Sequence, residues 1–257
     1  MEIFNFPYFW HLLASKEFVK PALLAVAAAL IAMVLGLVLG LFGALASNSR
    51  HRWLRPIVHV YVWIFRGTPA LVQIVFWYDG LSQLTNHTIN LTPFTAGVLA
   101  LGVNEGAYMT EIIRSGILAV DPGQREAAAA LGLPPTRSMR HVIAPQALRI
   151  LVPPLSNQFI VLLKNTSLLF VISVAEIFAT GQIEFTQSYR YMEVLAVVSI
   201  WYIALTAIAT ALQRLLEHRL NAQDRQPPAS SSGPGAPDTP PGTPVLKQTL
   251  AQVEGGR

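Results

Sequence analysis

The sequence predicts an all-helical protein that is integral to a membrane. Apolar residues make up 53% of the chain and charged residues only 12%, whereas a soluble domain carries roughly 25% charged residues to solvate its surface. Residues 21–46 and 194–213 contain no charged side chain. Each is long enough to cross the hydrocarbon core, which takes about 20 apolar residues as a helix. The alternating strands of a membrane barrel are absent from the sequence.

Three further segments are long and apolar enough to cross but carry charges. They are residues 56–84 with Arg66 and Asp79, residues 93–117 with Glu105, Glu111 and Arg114, and residues 150–175 with Lys164. With the two uncharged segments they give about five predicted transmembrane helices within residues 21–220. Residues 1–20 are expected at the outer membrane interface, and the Pro-, Gly- and Ser-rich residues 221–257 are expected to be disordered.

The basic residues predict the orientation of these spans. Twelve Lys and Arg residues fall in the loops and tail on one side of the predicted membrane, and three fall on the other. Because short cytoplasmic loops concentrate Lys and Arg, the N-terminus is expected outside and the C-terminus in the cytoplasm. The net charge of +4 is therefore a topology signal, and no nucleic-acid partner is expected.

Several enzyme classes are excluded by missing motifs. The chain has no cysteine, no Gly-Lys pair and hence no phosphate-binding loop, and neither G-x-S-x-G nor H-E-x-x-H. It therefore lacks the ATPase and hydrolase sites that these motifs form. No metal site is predicted. An intramembrane enzyme using Ser167 and His141 is discounted, because the two residues fall at different depths of the predicted topology.

The connection at residues 118–149 is expected to be structured. Asp121 is a helix N-cap, Pro122 suits the first helical position, and Gly132 suits the position after the C-cap, which predicts a helix of about ten residues. A second short helix is expected from Thr136, with Pro145 ending or kinking it. From the residues alone, the first helix is either a docking element for a partner protein or a helix lying on the membrane surface.

A family resemblance rests on this connection and on blocks around it. Glu126-Ala127-Ala128, with Gly132 six residues after the glutamate, resembles the EAA loop of ABC importer membrane subunits. The flanks are similar to the polar amino acid branch of that family, and they are Arg66-Gly67-Thr68-Pro69, Asn104-Glu105-Gly106-Ala107-Tyr108-Met109, Glu111-Ile112-Ile113-Arg114, Pro145-Gln146-Ala147-Leu148-Arg149, Pro153-Pro154-Leu155-Ser156-Asn157 and Leu163-Lys164-Asn165-Thr166-Ser167-Leu168. Two positions depart from the usual pattern: Ala144 stands before Pro145 where Leu is usual, and Asn165 stands where Asp is frequent.

The resemblance implies a type I importer in the bacterial inner membrane that moves a polar amino acid. Its expected partners are a second permease subunit (a copy or a related chain), two cytoplasmic ATPase subunits that use ATP and Mg²⁺, an extracytoplasmic solute-binding protein, and membrane lipid. This chain would bind no cofactor itself. The implied ATPase-coupling residues are Gly123, Glu126, Ala127, Ala128, Leu131 and Gly132. An ion-coupled secondary carrier is the alternative, although the inverted repeats that it predicts are not found in the sequence.

Charged residues at mid-depth in the membrane need a partner or a function. Glu105 and Lys164 lie about halfway along their spans, so they form either a structural ion pair or a substrate pathway. In the pathway hypothesis Lys164 attracts the carboxylate of the amino acid and Glu105 its ammonium group, and Asn104, Asn165, Thr166 and Ser167 add hydrogen bonds.

Two glycine-containing patterns suggest how the predicted spans bend and pack. Arg66, Gly67 and Pro69 interrupt the second span and predict a hinge, with Arg66 in a structural role. Gly36, Gly40 and Gly43 predict a small-residue face for close helix packing.

Overall fold

The computed structural model describes residues 4–49 and 51–221, and in this part of the chain all regular structure is helical. The predicted disorder of residues 222–257 lies outside the described residues. The α-helices in chain order are α1 (Phe6–Ala14), α2 (Val19–Ser47), α3 (Leu54–Gly67), α4 (Ala70–Val75), α5 (Leu81–Leu84), α6 (Pro93–Leu118), α7 (Pro122–Ala130), α8 (Pro135–Ser138), α9 (Ala144–Asn165), α10 (Ile177–Ser188) and α11 (Tyr191–Asn221). Single π-helical turns at Phe76–Gly80 and Met139–Ile143 and a 3₁₀ segment at Thr166–Ile172 join neighbouring helices.

Three helical segments of the described chain are long and apolar enough to cross a membrane: Val19–Ser47, Pro135–Ile172 and Tyr191–Arg219, with mean hydropathies of 2.9, 1.4 and 2.1. The bent pair Leu54–Gly67 and Ala70–Leu84 makes a fourth if it is taken as one span. The 26-residue helix α6 lies where the third span is predicted, but it is more polar than these segments and is not among them. The count of five spans and the orientation of the termini stay predictions.

The core of the domain is the close packing of α2 against α6. The face that α2 turns to α6 is made of glycine and alanine, and Gly36, Gly40 and Gly43 are all buried. A Cβ atom at Gly36 would lie 2.8 Å from the Cβ atom of Glu105. The two helix backbones can approach this closely only because glycine has no side chain. The predicted small-residue face is therefore confirmed.

The predicted second span is two helices that meet at a sharp bend. α3 ends at Gly67, Pro69 precedes α4, and the two helical segments are inclined by 106°. The interruption predicted at these residues is therefore present, as a break between two helices bent by a little more than a right angle. The Gln73 side chain donates hydrogen bonds to the carbonyl oxygens of Phe65 (3.0 Å) and Thr68 (3.2 Å). These bonds satisfy backbone acceptors that the helix break leaves without helical partners.

The helix after α7 is longer than the sequence predicts. Thr136 does not cap a separate helix, because α8 begins at Pro135 with Pro134 at the N-cap, and the chain stays helical from Pro135 to Ile172. Pro145 does not end or break this helix. It is preceded by the π-helical turn, in which the Ala144 N–H bonds to the carbonyl of Met139. In a π turn each hydrogen bond spans five residues instead of four, and this shift lets the helix tolerate the N–H that Pro145 lacks.

The N-terminal segment forms a helix that packs against α11. Phe9 and Leu12 of α1 are buried with Val194 and Val197 of α11 in one apolar cluster. The other face of α1 exposes Phe6 and Trp10, each by about three-fifths of its surface (63% and 62%). This two-sided helix fits the predicted interfacial location, which stays a prediction.

Candidate functional site

The helix α7, which carries Glu126-Ala127-Ala128, is capped at both ends. The Asp121 carboxylate accepts a hydrogen bond of 2.8 Å from the Gly123 N–H, and Pro122 occupies the first turn. At the other end Gly132 has φ +70°, and the N–H groups of Gly132 and Leu133 donate to the carbonyls of Ala129 (2.9 Å) and Ala128 (3.0 Å). This is a Schellman end, which needs a left-handed residue after the C-cap. The predicted caps at Asp121 and Gly132 are confirmed.

The inner face of α7 is fixed to the rest of the domain. Ala128 is buried, with 3% of its surface exposed. The Arg125 guanidinium donates a 2.8 Å hydrogen bond to the Ile117 carbonyl at the end of α6, and Gln146 of α9 donates to Gln124 at 3.2 Å. The helix is therefore held by both of the helices that flank it.

The outer face of α7 is open. Gly123, Glu126, Ala127, Leu131 and Gly132 are all exposed, and Leu131 exposes 81% of its surface. No hydrogen bond or ion pair to the Glu126 side chain is found among the residues that the structure describes. An exposed leucine beside an unpaired carboxylate on a rigid, narrow helix is a surface suited to a partner protein. Of the six predicted coupling residues, Ala128 alone faces inward.

Glu105 and Lys164 are not paired. Glu105 is 2% exposed, and one carboxylate oxygen accepts a long hydrogen bond of 3.4 Å from Gln158 while the other has no partner within the described chain. Lys164 is exposed at the end of α9. Because no ion pair joins the two side chains in the described structure, their interpretation as a structural ion pair is wrong.

The polar neighbours of these two residues are mostly engaged within the fold. Asn104 donates to the Phe65 carbonyl at 2.8 Å and to the Gln73 side chain at 3.1 Å, so it supports the bend between α3 and α4. Thr166 and Ser167 donate to carbonyls one turn earlier, at 2.7 and 2.8 Å. Asn165 is the last residue of α9 and is half-buried. In the described structure three members of this set have capacity for a ligand. They are the oxygen of Glu105 without a partner, the ammonium group of Lys164 and the half-buried side-chain amide of Asn165.

The predicted hinge residues lie at the bend. Gly67 is the last residue of α3, and Pro69 has φ −62° and ψ 135° just before α4. The Arg66 guanidinium lies 5.3 Å from the centre of the Tyr108 ring on α6. The structure thus places all three residues where the helix breaks, and their role as a hinge stays a prediction.

The sequence reasoning missed a fully buried acid, Glu176. Glu176 is fully buried (0% exposed) and is the N-cap of α10, which the sequence did not predict. Its carboxylate accepts hydrogen bonds from the N–H groups of Phe178 (2.8 Å) and Ala179 (2.7 Å) and from the Tyr202 hydroxyl (2.6 Å). Burial raises the pKa of Glu176 above its usual value. The three hydrogen bonds lower the same pKa, but their effect is smaller than that of burial. Glu is not a typical N-cap residue, so the sequence carried no standard signal.

The described residues bring no three His, Asp or Glu side chains close enough to hold a metal ion. What the fold does provide is a set of apolar helices around a buried polar centre, and an exposed, capped helix between α6 and the helix that begins at Pro135. This combination is that of a membrane-embedded helical protein with an exposed helix suited to docking a partner.

The family follows from comparison with known proteins. The model of the family described as "binding-protein-dependent transport system inner membrane component" matches residues 34–222, and the chain belongs to this family. It is 38% identical over 185 residues to the glutamine transport system permease protein GlnP of Escherichia coli (strain K12), covering 72% of this chain and 84% of GlnP. It is 35% identical over 194 residues to the arginine transport system permease protein ArtQ of Bacillus subtilis (strain 168), covering 76% of this chain and 88% of ArtQ.

Solved structures give the same fold. A chain of the crystal structure titled as an amino acid ABC transporter with histidines matches with a TM-score of 0.74 and 38% identity, over 79% of this chain and 94% of that chain. The inward-facing MetNI methionine ABC transporter matches with a TM-score of 0.66 and 20% identity over 84% of this chain and 99% of that chain, which shows the fold alone. The chain is therefore a multi-pass inner-membrane protein with the type I ABC importer permease fold.

Proposed function

We propose that this chain is the permease subunit of an ATP-driven importer for a polar amino acid. Relatives named as glutamine and arginine permeases, at 38% and 35% identity, support the substrate class. The observation that carries the proposal is the doubly capped helix α7, whose outer face is exposed and whose inner face is fixed to α6 and α9.

In this proposal α7 is the coupling helix. Its exposed residues Glu126, Ala127 and Leu131 contact a cytoplasmic ATPase subunit, and alanine side chains let the cleft of the ATPase approach the backbone closely. The ATP and Mg²⁺ belong to that partner, because this chain has no phosphate-binding loop. Two permease subunits and two ATPase subunits form the complex, and an extracytoplasmic solute-binding protein delivers the amino acid.

The proposed substrate pathway includes Glu105 and Lys164. The unpartnered oxygen of Glu105 can accept a hydrogen bond from the ammonium group of an amino acid, and Lys164 can attract its carboxylate. The pathway hypothesis adds hydrogen bonds to the substrate from Asn104, Asn165, Thr166 and Ser167. Asn104 and Thr166 are buried and already bonded within the fold, so their contribution is to hold the helices that carry the two charged groups.

ATP binding would draw the two coupling helices together and open the pathway outward, and hydrolysis would restore the inward-facing state. Each state must be stabilised by a different ligand for this cycle to run. The bend at Gly67 and Pro69 is the proposed hinge within each subunit.

The decisive experiment is identification of the bound partner. The chain is tagged after Leu220, expressed in its native membrane and extracted in mild detergent. The proteins that co-purify with it are compared with those that co-purify with the double variant Glu126→Lys, Gly132→Pro. We expect an ATPase subunit to co-purify with the wild type and to be lost from the double variant.

A matched control is Glu17→Lys, the same charge change at an exposed residue on the opposite side of the predicted membrane. This variant should retain the ATPase. The proposal fails if the wild-type chain purifies alone and moves amino acids in liposomes without ATP, which is the behaviour of a secondary carrier.

A further inference from the structure

A charged cavity lies between α3 and α6, apart from the buried Glu105. Its volume is about 480 Å³, and its chemically distinctive lining residues are His59, Trp63, Arg66, Tyr108, Glu111 and Arg114. Ligand pockets for small molecules typically have about 300–1,000 Å³. The cavity is therefore large enough for a free amino acid.

The charges in this cavity are unbalanced toward positive. Arg114 forms an ion pair with Glu111, with a nitrogen–oxygen distance of 3.0 Å. Arg66 has no hydrogen bond or ion pair among the described residues, and its guanidinium lies 5.3 Å from the centre of the Tyr108 ring. Glu111 thus forms its ion pair with Arg114 and interacts with Arg66 only at longer range, so the Arg66 guanidinium keeps its hydrogen-bond donors for an anionic ligand.

The depth of the cavity shows what it faces. Arg66 is twelve residues after Leu54, the start of α3, which places it about 18 Å along the helix. A guanidinium this far from the helix start is costly against lipid tails, so such residues face a bundle interior or a water-filled path. The exposed face of α2 presents apolar side chains such as Leu23, Leu30 and Val34, which suit lipid. Because α3 also exposes apolar side chains such as Ile57 and Val60, the part of its face that suits water or a partner subunit is the charged patch around Arg66 and Glu111.

We propose that this cavity is a carboxylate-binding site on the transport pathway and that Arg66 binds the carboxylate of the transported amino acid. The inference rests on the proposed import of an amino acid and adds a second site to it. The rings of Trp63 and Tyr108 form a wall for the substrate side chain. Lys164 is not among the residues that line the cavity, so Arg66 and Lys164 act at different points of the path.

The test is equilibrium binding of radiolabelled L-glutamine and L-arginine to the complete permease–ATPase complex in nanodiscs, without the solute-binding protein. We expect saturable binding to the wild type that the corresponding amino acid amides, which lack the carboxylate, do not displace. In the Lys164→Met background, which removes the other proposed carboxylate contact, Arg66→Gln should weaken the affinity at least tenfold, and Arg66→Lys should weaken it less. The exposed Arg52, outside the cavity, supplies the matched control Arg52→Gln, which should bind as the wild type does.

A second variant separates loss of the site from loss of the fold. Glu111→Gln releases Arg114 from its ion pair and should strengthen binding of both amino acids, which a misfolded protein cannot do. The proposal is overturned if Arg66→Gln binds like the wild type, if the amides compete equally, or if the wild-type complex binds neither probe. It is also overturned if adding phosphatidylglycerol to neutral nanodiscs displaces the probes, because the anion site would then belong to lipid.

Failure of this inference is distinguishable from failure of the proposed function. ATP-dependent uptake of glutamine or arginine by the wild type with its binding protein tests import. Uptake that persists while Arg66→Gln binds normally rejects the carboxylate site alone.

Discussion

A methyl group added at Gly40 should force apart the two helices at the centre of the domain. A Cβ atom there would lie 2.9 Å from the carbonyl carbon of Met109 and 3.0 Å from the backbone nitrogen of Thr110. The Cβ atom of Met109 would lie closer still. Non-bonded carbon atoms prefer separations of about 3.5–4.0 Å, so α2 and α6 would have to separate by about one ångström or more. Two of the clashing atoms are backbone and the third is a Cβ atom whose position the backbone fixes, so no rotamer change can relieve the clash. Overpacking of this kind costs about 1–3 kcal/mol.

The assay is thermal unfolding of Gly40→Ala in detergent, followed by loss of the monodisperse peak in size-exclusion chromatography. For a domain of this length 1 kcal/mol corresponds to about 2–4 °C in Tm, so we expect a decrease of roughly 5 °C. Gly67→Ala is the matched control, because no atom lies within 4 Å of a Cβ there and its φ is not positive. Equal melting of Gly40→Ala and wild type, or an equal loss in Gly67→Ala, would refute the reasoning.

Two further predictions concern helix ends. Gly132→Ala should weaken the stimulation of ATPase activity by substrate-loaded binding protein more than Gly132→Asn does. The reason is that the left-handed conformation at φ +70° costs an alanine about 1–2 kcal/mol and an asparagine less. Equal activities of the two variants would contradict this prediction. Glu176→Ala should lower Tm more than Glu176→Gln, since alanine removes the acceptor of three hydrogen bonds. A buried donor left without a partner costs about 1–3 kcal/mol, and the Ala179 N–H is such a donor. Melting of Glu176→Ala at the wild-type temperature would show that no acceptor is needed at this position.

The parts of the fold that the sequence predicted well depend on local chemistry. The caps of α7 follow from Asp121 and Gly132, because each acts on hydrogen bonds within the next few residues. The packing face of α2 follows from the spacing of its glycines, since three- and four-residue steps place them on one side of a helix whatever lies opposite.

The parts that could not be predicted depend on contacts distant in sequence or on backbone shifts. Matching depth in two spans does not fix the direction in which each side chain points, so Glu105 and Lys164 do not meet. The helix continues past Pro145 because a π turn accommodates the backbone N–H that proline lacks. No residue type in the sequence indicates such a turn in advance. Glu176 caps α10 because the hydroxyl of Tyr202, 26 residues later, helps to satisfy its buried carboxylate.

The continuous helical segment from Pro135 to Ile172, which runs from α8 through the π turn and α9 to the 3₁₀ segment, has a mechanical consequence. Its 38 residues extend over about 57 Å at the α-helical rise, and it begins three residues after Gly132, beside the surface where a partner would push. Moving as one lever, it would convert a tilt of about 5° into a displacement of about 5 Å at its far end, by the same length. Lys164 lies near that far end, so under the proposed function a small movement of the coupling helix would become a larger one at the proposed substrate pathway.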